Sequence, residues 1–170
     1  MHLLLLFSLL AFAIPVANQE PQANGISLFL GTWKLNVSES KLGTPPQPAR
    51  LAVKFEVFGS DRMKVSHEQV YGESHSWGYY DVRFDGQTRP ADGFPIFGPP
   101  QTRPVSGPPK TARSVAVRWV NDHTLIWTLH TYDLDNGTDG TLTLTTTVSD
   151  DGRTMTGIGS DGTVQVFERQ

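Results

Sequence analysis

Short runs of alternating apolar and polar residues, separated by turn dipeptides, constrain this chain more than any other feature. Asp85-Gly86, Asn136-Gly137, Asp151-Gly152 and Asp161-Gly162 each stand between two such runs. These are hairpin-turn dipeptides, because glycine takes positive φ at no steric cost. Leu51, Val53, Phe55 and Val57 alternate with Lys54 and Glu56, while Leu142, Leu144, Thr146 and Val148 alternate with threonines. A period of two is that of a strand with one buried face. Similar runs cover Arg62 to Tyr71, Ser74 to Phe84, Arg113 to Val120, Thr124 to Tyr132, Thr154 to Gly159 and Thr163 to Arg169. The first strand is read over Ile26 to Asn36. There Gly31 would let another backbone approach closely, and Trp33 would plug one end of a core. Sequential antiparallel strands in this number leave two exposed edges unless the sheet closes on itself. The expectation is an all-β chain, a single antiparallel up-and-down β-barrel of about 8–10 strands.

A length of 170 residues fits one domain, with 38% hydrophobic residues to fill a core. The net charge is −3, with both signs scattered. Phosphate binding needs a concentrated basic patch, so nucleic acid is not an expected partner. There is no cysteine, which excludes disulfides, thiolate catalysis and Cys-ligated metal. Leu3 to Ile14 is apolar apart from Ser8 and is too short to span a bilayer. Ala11-Phe12-Ala13 fits a signal cleavage site, and Val16-Ala17 allows a later cut. The expected organisation is a signal peptide over 1–17, a flexible segment over 18–25 and a barrel over 26–170. The mature protein would be secreted or periplasmic, with no membrane span.

Gly86 to Lys110 breaks the pattern, holding seven of the 12 prolines. Proline lacks a ladder donor, so this stretch is read as a long loop, with a short edge strand at Gln87–Arg89 before it. Phe94, Ile96 and Phe97 make it too apolar for a plain linker. They are read as a lid over the barrel mouth, or alternatively as a docking site for another protein.

Gly31-Thr32-Trp33-Lys34-Leu35-Asn36, followed by Ser40-Lys41-Leu42, resembles the opening of exported bacterial lipocalin-like proteins. Asp150 to Thr156 and the closing Val166-Phe167-Glu168-Arg169-Gln170 resemble that family's last hairpin. The resemblance implies a calycin-type barrel with a small-molecule cavity. It also implies that Arg169 packs over Trp33 at the closed end, a cation–π pair. Fatty-acid-binding proteins share a G-x-W opening but place two helices after the first strand. Pro45, Pro46 and Pro48 occupy that region here, which argues against a helical lid.

His67, Gln69 and Tyr71 share one face of the third strand. His75, Trp77, Tyr79 and Asp81 share one face of the fourth. Turned inward, these polar and aromatic groups converge on a ligand pocket; turned outward, they are cross-strand surface pairs. Tyr80, Val82 and Phe84 on the opposite face are also apolar, so both registers stay open. Candidate wall residues are Phe55, Val65, Trp77, Val117, Trp119, Trp127 and Leu144. The candidate binding set is His67, Gln69, Tyr71, His75, Trp77, Tyr79, Trp119 and Trp127. His67, His75 and His130 lack metal-ligand spacing, and scattered half-buried histidines are the plainer reading, so no metal or other cofactor is expected. Glu68 or Asp81 beside a histidine would make an acid–base pair, the rival enzymatic reading. The leading expectation is a barrel that binds a small apolar or amphipathic ligand.

Overall fold

The chain enters its barrel through a helix, where the sequence reads as the start of a strand. The computed structural model describes residues 23–43, 47–59, 61–90, 114–133 and 138–170. Helix α1 (Ala23–Phe29) has seven residues, so residues 23–25 of the segment expected to be flexible are helical. Short apolar runs such as Ile26 to Leu30 do not distinguish helix from strand by periodicity. The helix-ending signal is Gly31, which sits at φ 115°. Side chains rarely adopt that conformation, and it turns the helix directly into β1 (Gly31–Leu35). No backbone crowds Gly31; the nearest atom to an added Cβ would be the Arg169 guanidinium, at 3.5 Å.

Nine further strands follow: β2 (Arg50–Val57), β3 (Arg62–Tyr71), β4 (Ser74–Arg83), β5 (Arg89–Pro90), β6 (Ser114–Asn121), β7 (Thr124–Asp133), β8 (Thr138–Val148), β9 (Thr154–Gly159) and β10 (Val164–Arg169). They form one ten-stranded antiparallel sheet in the order β4-β3-β2-β1-β10-β9-β8-β7-β6-β5. Every neighbour is sequential except β1 with β10, whose pairing joins the two ends of the chain. The sheet curls until β4 lies beside β6.

Asp85-Gly86 does not make the expected hairpin. Asp85 bridges Arg118, and the Gly86 N–H donates to the Val117 carbonyl at 2.9 Å. The chain leaving β4 therefore runs along β6 and tacks the two edges together. Arg89 holds this corner with two guanidinium bonds of 2.6 Å to the Asp85 carboxylate. That contact holds the Asp85 carboxyl down at about 2. The edge strand β5 is shorter than expected and starts at Arg89. The turn after β1 is organised by Asn36: its side-chain oxygen accepts from the Ser38 hydroxyl at 2.7 Å and from the Glu39 N–H at 3.3 Å. Residues 1–22 and 91–113, including Phe94, Ile96 and Phe97, lie outside the described residues.

Alternation decides which side chains fill the barrel. Leu51, Val53 and Phe55 from β2, Met63 and Val65 from β3, and Tyr80 and Val82 from β4 are buried. Val115 and Val117, Leu125, Trp127 and Leu129, Val148, Met155 and Phe167 complete the wall. Helix α1 closes one end. Phe29 is fully buried, with its ring edge-on to Phe55 at 6.2 Å and to Trp119 at 5.6 Å. Gly25 allows the helix to approach the β6–β7 turn, since an added Cβ would lie 3.0 Å from the Asp122 carbonyl oxygen.

Candidate functional site

The closed end is built around Trp33, which is fully buried. Its indole N–H donates to the Phe29 carbonyl at 2.8 Å. The Arg169 guanidinium stacks on the ring, 4.4 Å from its centroid. It also donates to the carbonyls of Leu30 at 2.8 Å and Gly152 at 2.6 Å, and to that of Leu28. The last carbonyls of a helix have no partner within it, and here an arginine from the last strand supplies one.

Above the plug, the sheet register fixes a polar patch on the inner face. His67 pairs with Val53 on one side and Gly78 on the other. His67 and Gln69 are 5% and 3% exposed, so this face of β3 points inward. Tyr71, at the end of the strand, is half-buried, and burial pushes its hydroxyl pKa up. The Tyr80 ring lies 6.4 Å from that of His67. Burial lowers the His67 pKa to about 4 and raises that of Tyr80. At neutral pH the imidazole is therefore uncharged and the phenol protonated. His67 and Tyr80 therefore offer neutral hydrogen bonds here and add no charge of their own.

Next to it lies a cavity of about 40 Å³, walled by Phe55, Val65, Tyr80, Trp127, Leu144 and Met155, among others, with Thr146 and Gln165 as further polar members. The Trp127 ring sits 6.3 Å from that of Phe55. The Trp127 indole N–H, the Trp119 indole N–H and the His67 Nδ1 are buried with no hydrogen-bond partner among the described residues. Buried polar atoms are nearly always paired, so such atoms mark places where a further group is accommodated.

The fourth strand takes the other register. Tyr80, Val82 and Phe84 point inward, while Trp77 is 74% and Tyr79 54% exposed. His75 and Asp81 are exposed as well. This corrects the expectation that His75, Trp77 and Tyr79 converge with His67 on one pocket, and it removes Trp77 from the wall. The physical reason is that both faces of β4 carry aromatic residues, so alternation alone does not choose between them. His67 and His75 lie on opposite faces and do not form a common site. Glu68 does meet a histidine: its carboxylate contacts His75 Nε2 at 3.0 Å and Arg50 at 3.1 Å, on the outside. Phe55, Val65, Val117, Trp127 and Leu144 lie on the inner face or line the cavity, as expected. Trp119 is half-buried and packs on Phe29 and on Phe84, at 5.0 Å. Tyr80, Met155 and Gln165 belong to the cavity but not to the candidate wall or binding residues read from sequence. Tyr80 and Met155 alternate with more exposed neighbours, which was the available signal, whereas Gln165 is a polar residue between two equally half-buried valines and carries none.

No family model matches the chain, and no curated protein matches it in sequence. Solved structures do match in fold. The fatty-acid-binding protein of Schistosoma mansoni, solved in complex with arachidonic acid, superposes with a TM-score of 0.50 at 21% identity, covering 86% of this chain and 98% of that one. A variant of the fluorescent protein UnaG superposes at 0.50 and 15% identity, covering 85% and 98%. Secretory abundant heat soluble protein 4 of Ramazzottius varieornatus does so at 0.50 and 11%, covering 84% and 94%. The fold is thus an up-and-down antiparallel β-barrel like that of fatty-acid-binding proteins. Its helix precedes the first strand, and none of the described residues between β1 and β2 is helical.

Proposed function

We propose that the barrel interior binds a small, largely apolar molecule carrying an uncharged hydrogen-bonding group. Trp127 carries the proposal: it lines the cavity, and its buried indole N–H has no acceptor among the described residues. A ligand carbonyl or hydroxyl oxygen would satisfy that donor, with Thr146 and Gln165 beside it. His67 and Tyr80 are uncharged at neutral pH and so offer nothing to offset the desolvation of an anion, which favours an uncharged head over an ionised one. The Schistosoma mansoni protein of similar fold is bound to arachidonic acid, which supports use of the interior and leaves the ligand here to this chain's own side chains.

The space of about 40 Å³ holds little more than a water molecule. Pockets for drug-sized ligands are roughly 300–1,000 Å³. Binding therefore includes outward movement of flexible wall side chains, Leu144 and Met155 foremost, and a ligand drives it by preferring the expanded state. We further propose that the protein is exported by its N-terminal apolar segment and acts outside the cytoplasm, as its lipocalin-like opening and closing motifs suggest.

Titration with the neutral fluorescent probe N-phenyl-1-naphthylamine tests the interior. Saturable enhancement, with a separate loss of affinity for carbonyl-bearing competitors in Trp127→Phe, is expected. Absence of saturable binding by any apolar probe contradicts it.

A further inference from the structure

An open depression lies on the outside of the barrel. A groove of about 400 Å³ lies across the outer face of β2, β3 and β4. Register sets its layout. The outward row Ala52–Glu68–Trp77 lies beside the row Lys54–Ser66–Tyr79. Ala52 and Ser66 are small and leave the middle of the groove open, while the aromatic rings rise along the β4 side. Trp77 and Tyr79 are two residues apart on one face, so about 7 Å separates their backbone positions. They are the most exposed aromatic side chains of the described core sheet, at 74% and 54%. Large apolar groups left this bare on a sheet face mark an interaction site.

The polar groups decide what fits. The Lys64 ammonium sits 4.6 Å above the Tyr79 ring, and Lys54 bonds Glu56 at 2.7 Å. Glu68 is held in place by Arg50 and His75. Ammonium donors and a carboxylate acceptor thus face one groove, with the Ser66 hydroxyl between them. An anionic surface would meet Glu68, and Asp81 directly across from Lys64. A purely apolar partner would leave these groups without water or partners. A neutral polyol satisfies both kinds: its hydroxyls donate to Glu68 and accept from Lys54 and Lys64. The C–H face of a pyranose ring stacks on an indole or phenol. We propose that this groove binds a neutral glycan of at least two pyranose units, with one ring stacked on Trp77 and the next on Tyr79 in place of the Lys64 ammonium, which moves aside to donate to its hydroxyls. This site is distinct from the barrel interior.

The test is titration of the protein with cellohexaose, chitohexaose and mannohexaose, followed by tryptophan fluorescence and calorimetry. Trp77 is exposed, so Trp77→Ala should leave circular dichroism and N-phenyl-1-naphthylamine binding unchanged. Saturable binding of at least one hexasaccharide, weakened tenfold or more in Trp77→Ala and several-fold in Glu68→Gln, is expected. Failure of all three sugars to bind overturns the proposal, as does binding undiminished in Trp77→Ala. Retention on phosphatidylglycerol vesicles without sugar binding would assign the face to a lipid surface and likewise overturn it.

Discussion

Arg169 stands directly across the sheet from Trp33, and its guanidinium covers the indole while bonding the carbonyls that end helix α1. One side chain thereby joins the last strand, the first strand and the helix. Arg169→Lys keeps the charge but loses the planar fork, and Arg169→Met loses both. Arg169→Met is expected to destabilise by about 1–2 kcal/mol, for the cation–π contact and the helix-end hydrogen bonds together. Urea denaturation checks it, with Arg169→Lys falling between wild type and Arg169→Met.

Trp33→Ala removes a fully buried indole that fills the closed end. The expected loss is about 3–5 kcal/mol, as for other large aromatic deletions in a core. A midpoint shift equivalent to under about 1 kcal/mol in chemical denaturation would contradict its role as the plug.

The Arg169–Trp33 pair followed from the family resemblance of the two ends of the sequence, and the strands were legible because period-two alternation and Gly-containing turns report local geometry directly. The helix was not. Ile26 to Leu30 is a short apolar run whose conformation is decided by Phe29 docking against Phe55 and Trp119, contacts far away in sequence. The inward face of β3 was foreseen as one of two options. For β4 both faces stayed open, because Trp77 and Tyr79 are as apolar as Tyr80 and Val82, and only pairing with β3 fixes the register. The Asp85-Gly86 turn misled for a related reason: the dipeptide specifies a change of direction, not which strand comes next.

Gly31 tests the helix-to-strand junction. At φ 115° a Cβ is strained, although the nearest side-chain atom is at an ordinary 3.5 Å. Gly31→Ala is expected to cost about 1–2 kcal/mol from backbone strain alone. Thermal and urea denaturation should show this loss with little change in the near-ultraviolet signal of the aromatic core.

His67 gives the protein a specific pH dependence. Its pKa falls from 6.5 to about 4 on folding because burial disfavours the charged ring. Between those values the unfolded chain binds a proton that the folded chain refuses. The contribution to stability is therefore full above about pH 6.5 and is lost as the pH falls toward 4, by at most about 3 kcal/mol. The stability difference between wild type and His67→Gln, measured from pH 8 to pH 4, should shift against wild type over that window. A difference independent of pH would mean that the imidazole is solvated.

The central claim is that a ligand reaches the barrel interior and bonds Trp127. The chain has four tryptophans, whose indole N–H groups give separate nitrogen–proton resonances, assignable by single Trp→Phe variants. Titration with 2-acetylnaphthalene, a neutral aromatic ketone, should move the Trp127 resonance saturably and downfield as its N–H gains an acceptor. The exposed Trp77 resonance should stay in place. A Trp127 resonance that does not move, while Trp77 alone responds, would contradict binding in the interior.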